Sequence, residues 1–110
     1  MAYEEDLAER IRDLVRDEPG LTEKKMFGGV AFLIGGNMAV SASGQGGLLL
    51  RVDRAESAEL VADTDACIAV MRGRPMPGWL RVDSGHLRGS GELAGWVKRG
   101  VSYARSLPAK

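Results

Sequence analysis

Lys24-Lys25-Met26-Phe27-Gly28-Gly29-Val30-Ala31-Phe32-Leu33-Ile34-Gly35-Gly36-Asn37-Met38 packs two lysines and two glycine pairs around an apolar run. Residues 26–34 are rich in β-branched and aromatic side chains, the composition of a buried strand. The run does not alternate with polar residues, which predicts cover on both faces. Gly35-Gly36-Asn37 can take positive φ at no steric cost, so the chain should turn there and return over residues 38–43 as a hairpin. Gly44-Gln45-Gly46-Gly47 makes a further turn into a third strand over residues 48–52. Three consecutive strands then form an antiparallel meander.

On the N-terminal side of that meander, Leu7, Ile11, Leu14 and Val15 fall at i, i+4, i+7 and i+8, one apolar stripe of a helix over residues 3–18. Pro19-Gly20 stops it. On the C-terminal side, Asp53 is placed to cap a short helix over residues 54–63, with Ala55, Ala58, Leu60, Val61 and Ala62 as a small apolar face. Residues 67–71 read as a fourth strand, and Gly73-Arg74-Pro75-Met76-Pro77-Gly78 as a rigid loop before a fifth strand over residues 79–82. Beyond a polar linker over residues 83–91, the stripe Leu93, Trp96, Val97, Val101 and Ala104 predicts a last helix ending near Leu107, ahead of Pro108. Gly95 and Gly100 lie inside that helix, each costing about 1 kcal/mol against alanine unless a close contact compensates. Gly100 falls on the stripe and is expected to make such a contact.

The order is helix, three strands, helix, two strands, helix: an α+β fold whose antiparallel sheet is covered by helices. At 110 residues the chain is one domain, residues 1–110, large enough to bury roughly 65% of its unfolded surface. The apolar fraction of 45% and charged fraction of 27% are ordinary globular values. No stretch approaches the ~20 apolar residues of a membrane span. The acidic start Met-Ala-Tyr-Glu-Glu-Asp lacks the features of an export signal, and the single cysteine, Cys67, fits a reducing compartment, so a cytoplasmic location is expected. Net charge is zero, which removes the global attraction behind strong non-specific nucleic-acid binding. The zero hides an asymmetry. Through Glu23 the chain carries eight acidic residues against three arginines, a balance of −5, and the remainder carries twelve basic against seven acidic, or +5.

With this order in hand, Lys25-Met26-Phe27-Gly28-Gly29-Val30-Ala31-Phe32, then Gly36-Asn37-Met38, then Gly73-Arg74-Pro75-Met76 with Gly78-Trp79, resemble the N-terminal domain of the TfoX/Sxy family over almost the whole chain. The resemblance implies a small α+β domain of helix, three strands, helix, two strands, helix. Longer members of that family regulate bacterial competence genes, acting with the cyclic-AMP receptor protein, and carry a second, C-terminal domain. No such second domain is expected within these 110 residues, so the regulatory role implied by the resemblance is expected to carry over weakly, as an accessory part. The family offers no catalytic residues to carry over.

The residues themselves agree with a non-catalytic reading. The Gly28-Gly29 pair lacks the spacing of a Walker loop or a dinucleotide fingerprint, and fits a bulge or a close approach of another element. His86 is the only histidine, lies in a polar loop far in sequence from Cys67, and makes no metal spacing; no cofactor is expected. Cys67 opens an apolar strand and reads as core, as do Trp79 and Trp96, with Met26, Met38, Met71 and Met76 around them. Gly28, Gly29, Gly35 and Gly36 are structural glycines. The contact residues for a partner or nucleic acid are Lys24 and Lys25, with Arg72, Arg74 and Arg81 extending the patch if their strands neighbour the first. Lysines at a sheet edge also guard against strand addition, which is the competing account.

The expected function is therefore that of a domain acting through protein–protein contact, accessory to transcription or competence-type regulation, and not an enzyme. Its partner is a protein, a transcription regulator among the candidates. Self-association, weak direct nucleic-acid binding through the basic residues, and small-molecule binding remain the alternatives.

Overall fold

The computed structural model describes residues 5–26, 28–44 and 46–109. They form α1 (Glu5–Val15), β1 (Leu21–Met26), β2 (Gly29–Ile34), β3 (Asn37–Ala42), β4 (Leu48–Arg51), α2 (Arg54–Asp63), β5 (Cys67–Met71), β6 (Arg74–Val82), a 3-10 turn (Ser84–His86) and α3 (Ser90–Ser106). The six strands make one antiparallel sheet in the order β1-β2-β3-β4-β6-β5. The α+β class and the helix–strands–helix–strands–helix order are as the sequence predicts.

Two expectations change. The first apolar run is not one strand: Leu21–Met26 is an edge strand that turns at Gly28 (φ +78) and pairs with β2 from Leu21↔Ile34 to Met26↔Gly29. Four strands precede α2, and Lys24 and Lys25 lie inside the first of them. Its sequence, Leu-Thr-Glu-Lys-Lys-Met, is poor in strand formers; pairing with β2 overrides the local preference. The second change is at residues 73–78, expected to be a loop. Arg72 (φ +53) and Gly73 (φ +75) form a two-residue turn with both central residues at positive φ, and β6 starts at Arg74. Its prolines are tolerated because the pairing with β5 slips between Ile68↔Leu80 and Ala69↔Met76, leaving residues 77–79 bulged, while Pro75 sits opposite Val70 beyond the end of β4.

Alternation along the strands sets the two faces. Val30, Phe32 and Ile34 of β2, Val40 and Ala42 of β3, Leu48 and Leu50 of β4, and Leu80 and Val82 of β6 are buried together in the core. The helices close that face. α1 contributes Leu7, Ala8, Ile11 and Val15, α3 contributes Leu93, Val97, Val101 and Ala104, and Leu60 and Val61 of α2 pack against the same cluster. Each fully buried Leu or Phe stabilises by about 1.5–3 kcal/mol. The expected contact at Gly100 is present: a Cβ there would stand 2.6 Å from the Ala39 carbonyl oxygen and 2.8 Å from Val40 Cγ1. Asp53 caps α2, accepting from the Ala55 N–H at 2.8 Å.

In β2 both faces of the run are largely buried, but among the described residues the helices cover only the core face. Opposite the core, a row crosses all six strands in register: Lys24, Ala31, Ser41, Leu49, Arg81, Cys67. Ala31 is buried but outside the core cluster, a small side chain sheltered in the sheet beside half-buried Leu33. The chain after α3 returns to the β2–β3 hairpin, where buried Asn37 donates from Nδ2 to the Pro108 carbonyl at 2.9 Å. Glu18, just past α1, pairs with Arg105 of α3.

Candidate functional site

The five candidate cations are spread across the sheet. Lys24 and Lys25 are exposed on β1, facing opposite sides by strand alternation, with Lys24 across from Ala31 and Lys25 across from Val30. Arg72 and Arg74 occupy the tip of the β5–β6 hairpin at the other edge. Five inter-strand steps, about 24 Å along the sheet, separate those edges. Arg81 lies between, half-buried, and its guanidinium donates to Ser43 Oγ at 3.4 Å and the Gly46 carbonyl at 3.0 Å, which ties β6 to the β3–β4 turn. The strands carrying the arginines do not neighbour β1, so these residues form no single patch.

The structural glycines behave as such. Gly35 and Gly36 turn the β2–β3 hairpin at φ +60 and +85. A Cβ on Gly29 would stand 2.2 Å from the Ala42 carbonyl oxygen, the close approach the glycine pair suggested. Cys67, read as core, is exposed at the start of an edge strand. His86 is exposed, with Nδ1 3.3 Å from Asp65 Oδ2. Among the described residues no group of His, Cys, Asp and Glu side chains is arranged to hold a metal ion.

Trp96 packs against the core, but Trp79 is half-buried and belongs to a cluster that sequence reasoning missed. Arg51 ends β4 opposite Trp79, and its guanidinium carbon sits 5.4 Å from the Trp79 ring and 5.6 Å from the Tyr103 ring. Such contacts contribute about 0.5–1 kcal/mol each at partly exposed sites. Beside Tyr103, an open cleft of about 430 Å3 runs between the start of α2 and the outer face of α3, lined by Asp53, Glu56, Lys98, Arg99 and Ser102. Its two carboxylates and two cations offset each other, and Arg99 approaches Glu56 at 3.9 Å. The cleft has no net preference for an anion or a cation.

The most distinctive surface is on α1. Its buried stripe is Leu7, Ala8, Ile11 and Val15, and Leu14, expected on that stripe, is 43% exposed. Leu14 lies about 20° beyond Leu7 around the helix and two turns further along it, so it sits at the margin of the buried stripe. Outward from it run the exposed carboxylates Glu5, Asp6, Glu9 and Asp13. Arg12 is engaged on β1, Arg16 pairs with one of these carboxylates, and Arg10 lies one turn before Leu14 on the same side. Arg12 forms a two-pronged bond to Glu23 at 2.8 Å and lies over Phe32, and Arg16 reaches Asp13 at 3.4 Å. The Arg12 guanidinium holds the Glu23 carboxyl below its ordinary value, against a smaller opposing effect of burial. Among the described residues no cation pairs with Glu5, Asp6 or Glu9. Leu14 continues the line of Leu7 and Arg10, which with Asp6 border a second shallow cleft closed by Ser84, Leu87 and Arg88, so Asp6 shares that cleft with two arginines. The result is an exposed apolar contact point with Arg10 one turn before it and the carboxylates of the outer helix face beyond, of which Asp13 is paired with Arg16.

Residues 13–104 match the family model of the TfoX N-terminal domain. The chain belongs to that family. The TfoX N-terminal domain is associated with competence and its regulation, and the match takes in the whole sheet, α2 and nearly all of α3. It begins inside α1, so Asp13 and Leu14 fall within it while Glu5, Asp6 and Glu9 precede it. A search of curated proteins returned no match. Among the described residues no helix is long and apolar enough to cross a membrane.

Proposed function

We propose that this TfoX N-terminal domain is a non-catalytic interaction module, accessory to regulation, that docks a protein partner on the outer face of α1. The observation that carries the reading is Leu14, a large apolar side chain left 43% exposed on a well-packed helix whose outer face, further round from Arg10, carries the exposed carboxylates Asp6, Glu9 and Asp13. A surface of this kind suits a partner with a basic patch around an apolar socket: charge steers and orients the encounter, and burial of the leucine retains it. The −5 balance of the first 23 residues extends the same field. The scatter of Lys24, Lys25, Arg72 and Arg74 over two sheet edges gives the nucleic-acid alternative no comparable surface.

The test is a photo-crosslinking residue placed at position 14 in the cell of origin, followed by titration of the captured protein with purified domain. Leu14→Asp and the double reversal Glu9→Lys with Asp13→Lys should each weaken binding at least tenfold without lowering the melting temperature, and added salt should weaken the wild-type complex. A partner bound equally by all three proteins, or no crosslink at position 14, refutes the reading.

A further inference from the structure

The two edges of the sheet are built differently. β1 carries Glu23, Lys24 and Lys25 in a six-residue strand, the charged guard that discourages strand addition. β5, Cys67-Ile68-Ala69-Val70-Met71, holds no charge and no proline, and pairs with β6 on one side only. Among the described residues Val70 is the most exposed large apolar side chain, at 56%. The three extra residues at the β5–β6 slip belong to β6, which leaves β5 regular.

The direction of its free backbone groups follows from the turn. Met71 and Arg74 flank the two-residue turn and form a hydrogen-bonded pair, so alternation sends the N–H and C=O of Met71, Ala69 and Cys67 toward β6 and those of Val70 and Ile68 outward. We propose that β5 is a self-pairing strand: two copies of the chain join β5 to β5 antiparallel about a two-fold axis at Ala69, making one continuous sheet.

Three features agree on this register. Ile68 and Val70 are the outward-bonding residues, and in this pairing they oppose each other, exchanging both backbone bonds at each of two symmetric positions. The same pairing sets exposed Val70 beside half-buried Ile68 of the other copy, an apolar cross-strand contact. Charge also fits. Asp65 lies two residues before the strand and Arg72 opens the turn at its other end, so antiparallel pairing brings the acidic end of each β5 toward the basic turn of the second copy, whereas parallel pairing would bring like ends together. The proposal rests on the interaction-module reading for its context and deepens it by naming one partner, a second copy, on a surface separate from α1. A single strand pairing is a small interface, so the dimer should be reversible and concentration-dependent.

Light scattering across a wide concentration range tests it. The wild-type mass should rise toward twice the monomer mass, and Val70→Lys should hold the monomer at every concentration with an unchanged thermal melt. The register is tested separately. Position 71 opposes Cys67 of the second copy in a non-hydrogen-bonded pair with Cα atoms about 4.5 Å apart, within disulfide range. Met71→Cys should therefore give a covalent dimer under mild oxidation, and Met71→Cys with Cys67→Ser should not. A wild type that stays monomeric, including one that instead binds an extended segment of another protein along β5, overturns the proposal. So does a dimer that survives Val70→Lys or is dissolved only by Leu14→Asp, whereas loss of α1 binding with the dimer intact refutes the α1 reading alone.

Discussion

Alanine at Gly100 and at Gly95, five residues apart on α3, should shift stability in opposite directions. In an exposed helix interior, glycine to alanine stabilises by up to about 1 kcal/mol through backbone entropy. Gly95 meets that condition, since nothing lies within 4 Å of an added Cβ. At Gly100 the new methyl would stand 2.6 Å from the Ala39 carbonyl oxygen, and ordinary contact begins near 3.4 Å. The helix or the strand must give by about 0.8 Å. The strand is poorly able to, because Ala39 and Val40 are fully buried in a strand that has β2 on one side and β4 on the other. Lifting α3 instead loosens Val97, Val101 and Ala104 against the sheet.

Overpacking of this kind costs about 1–3 kcal/mol. Against the helix-propensity gain, the net loss for Gly100→Ala should be about 1–2 kcal/mol. With a urea m-value of about 2 kcal/mol/M, the unfolding midpoint falls by about 0.5–1 M, while Gly95→Ala raises it by up to about 0.5 M. Urea titration followed by tryptophan fluorescence reads both, because Trp96 packs on the core beside these sites. A Gly100→Ala midpoint at or above wild type, or shifts of the same sign for the two variants, would refute the close-approach account.

Other outcomes follow from single contacts. Arg72 holds φ +53 in the β5–β6 turn, so Arg72→Asn, giving the Asn-Gly pair such turns favour, should stabilise by about 0.5–1 kcal/mol in the same titration. Asn37→Ala removes the donor to the Pro108 carbonyl from a residue only 3% exposed, and should lower stability by about 1–2 kcal/mol in thermal melts. Glu23 has its pKa lowered by Arg12, so its contribution is present above its ordinary value of 4.5 and is lost as pH falls through the lower folded value. The melting-temperature gap between wild type and Glu23→Gln should accordingly be constant near neutrality and close below pH 4.5. Because the pair is exposed, the gap should correspond to less than about 1 kcal/mol.

The legible parts of the fold were those where local pattern and tertiary structure agree. The buried stripe of α3, the Gly35-Gly36 hairpin, the Asp53 cap and the Gly100 contact each follow from periodicity or from the steric demands of one residue. β1 was hidden because Leu-Thr-Glu-Lys-Lys-Met owes its strand state to pairing with β2 and its charges to the need to protect an edge. The β5–β6 turn was hidden because a non-glycine residue, Arg72, takes the left-handed conformation beside Gly73. The site was harder still. Arg51, Trp79 and Tyr103 meet only through the β4–β6 register and the placement of α3, which no sequence spacing encodes. Leu14 illustrates the limit of periodicity: i+7 from Leu7 puts it near the stripe, and only the width of the core contact decides that it stays in solvent.

The two proposed surfaces lie at different places on the sheet, which gives the tests their independence. α1 sits over β3 and reaches β1 through the Arg12–Glu23 bond, whereas β5 is the far edge, beyond β4 and β6. Joining two chains through β5 covers neither Leu14 nor the carboxylates beside it, so a dimer would present two copies of the acidic helix to partners. Two linked sites raise the effective concentration of the second contact once the first has formed, so a repeated basic partner would be held more tightly than by one domain alone. Val70→Lys should therefore leave binding to a single partner site unchanged while weakening binding to a surface that carries that partner at high density. Equal affinity of wild type and Val70→Lys for the dense surface would show that the edge strand and the helix do not act together.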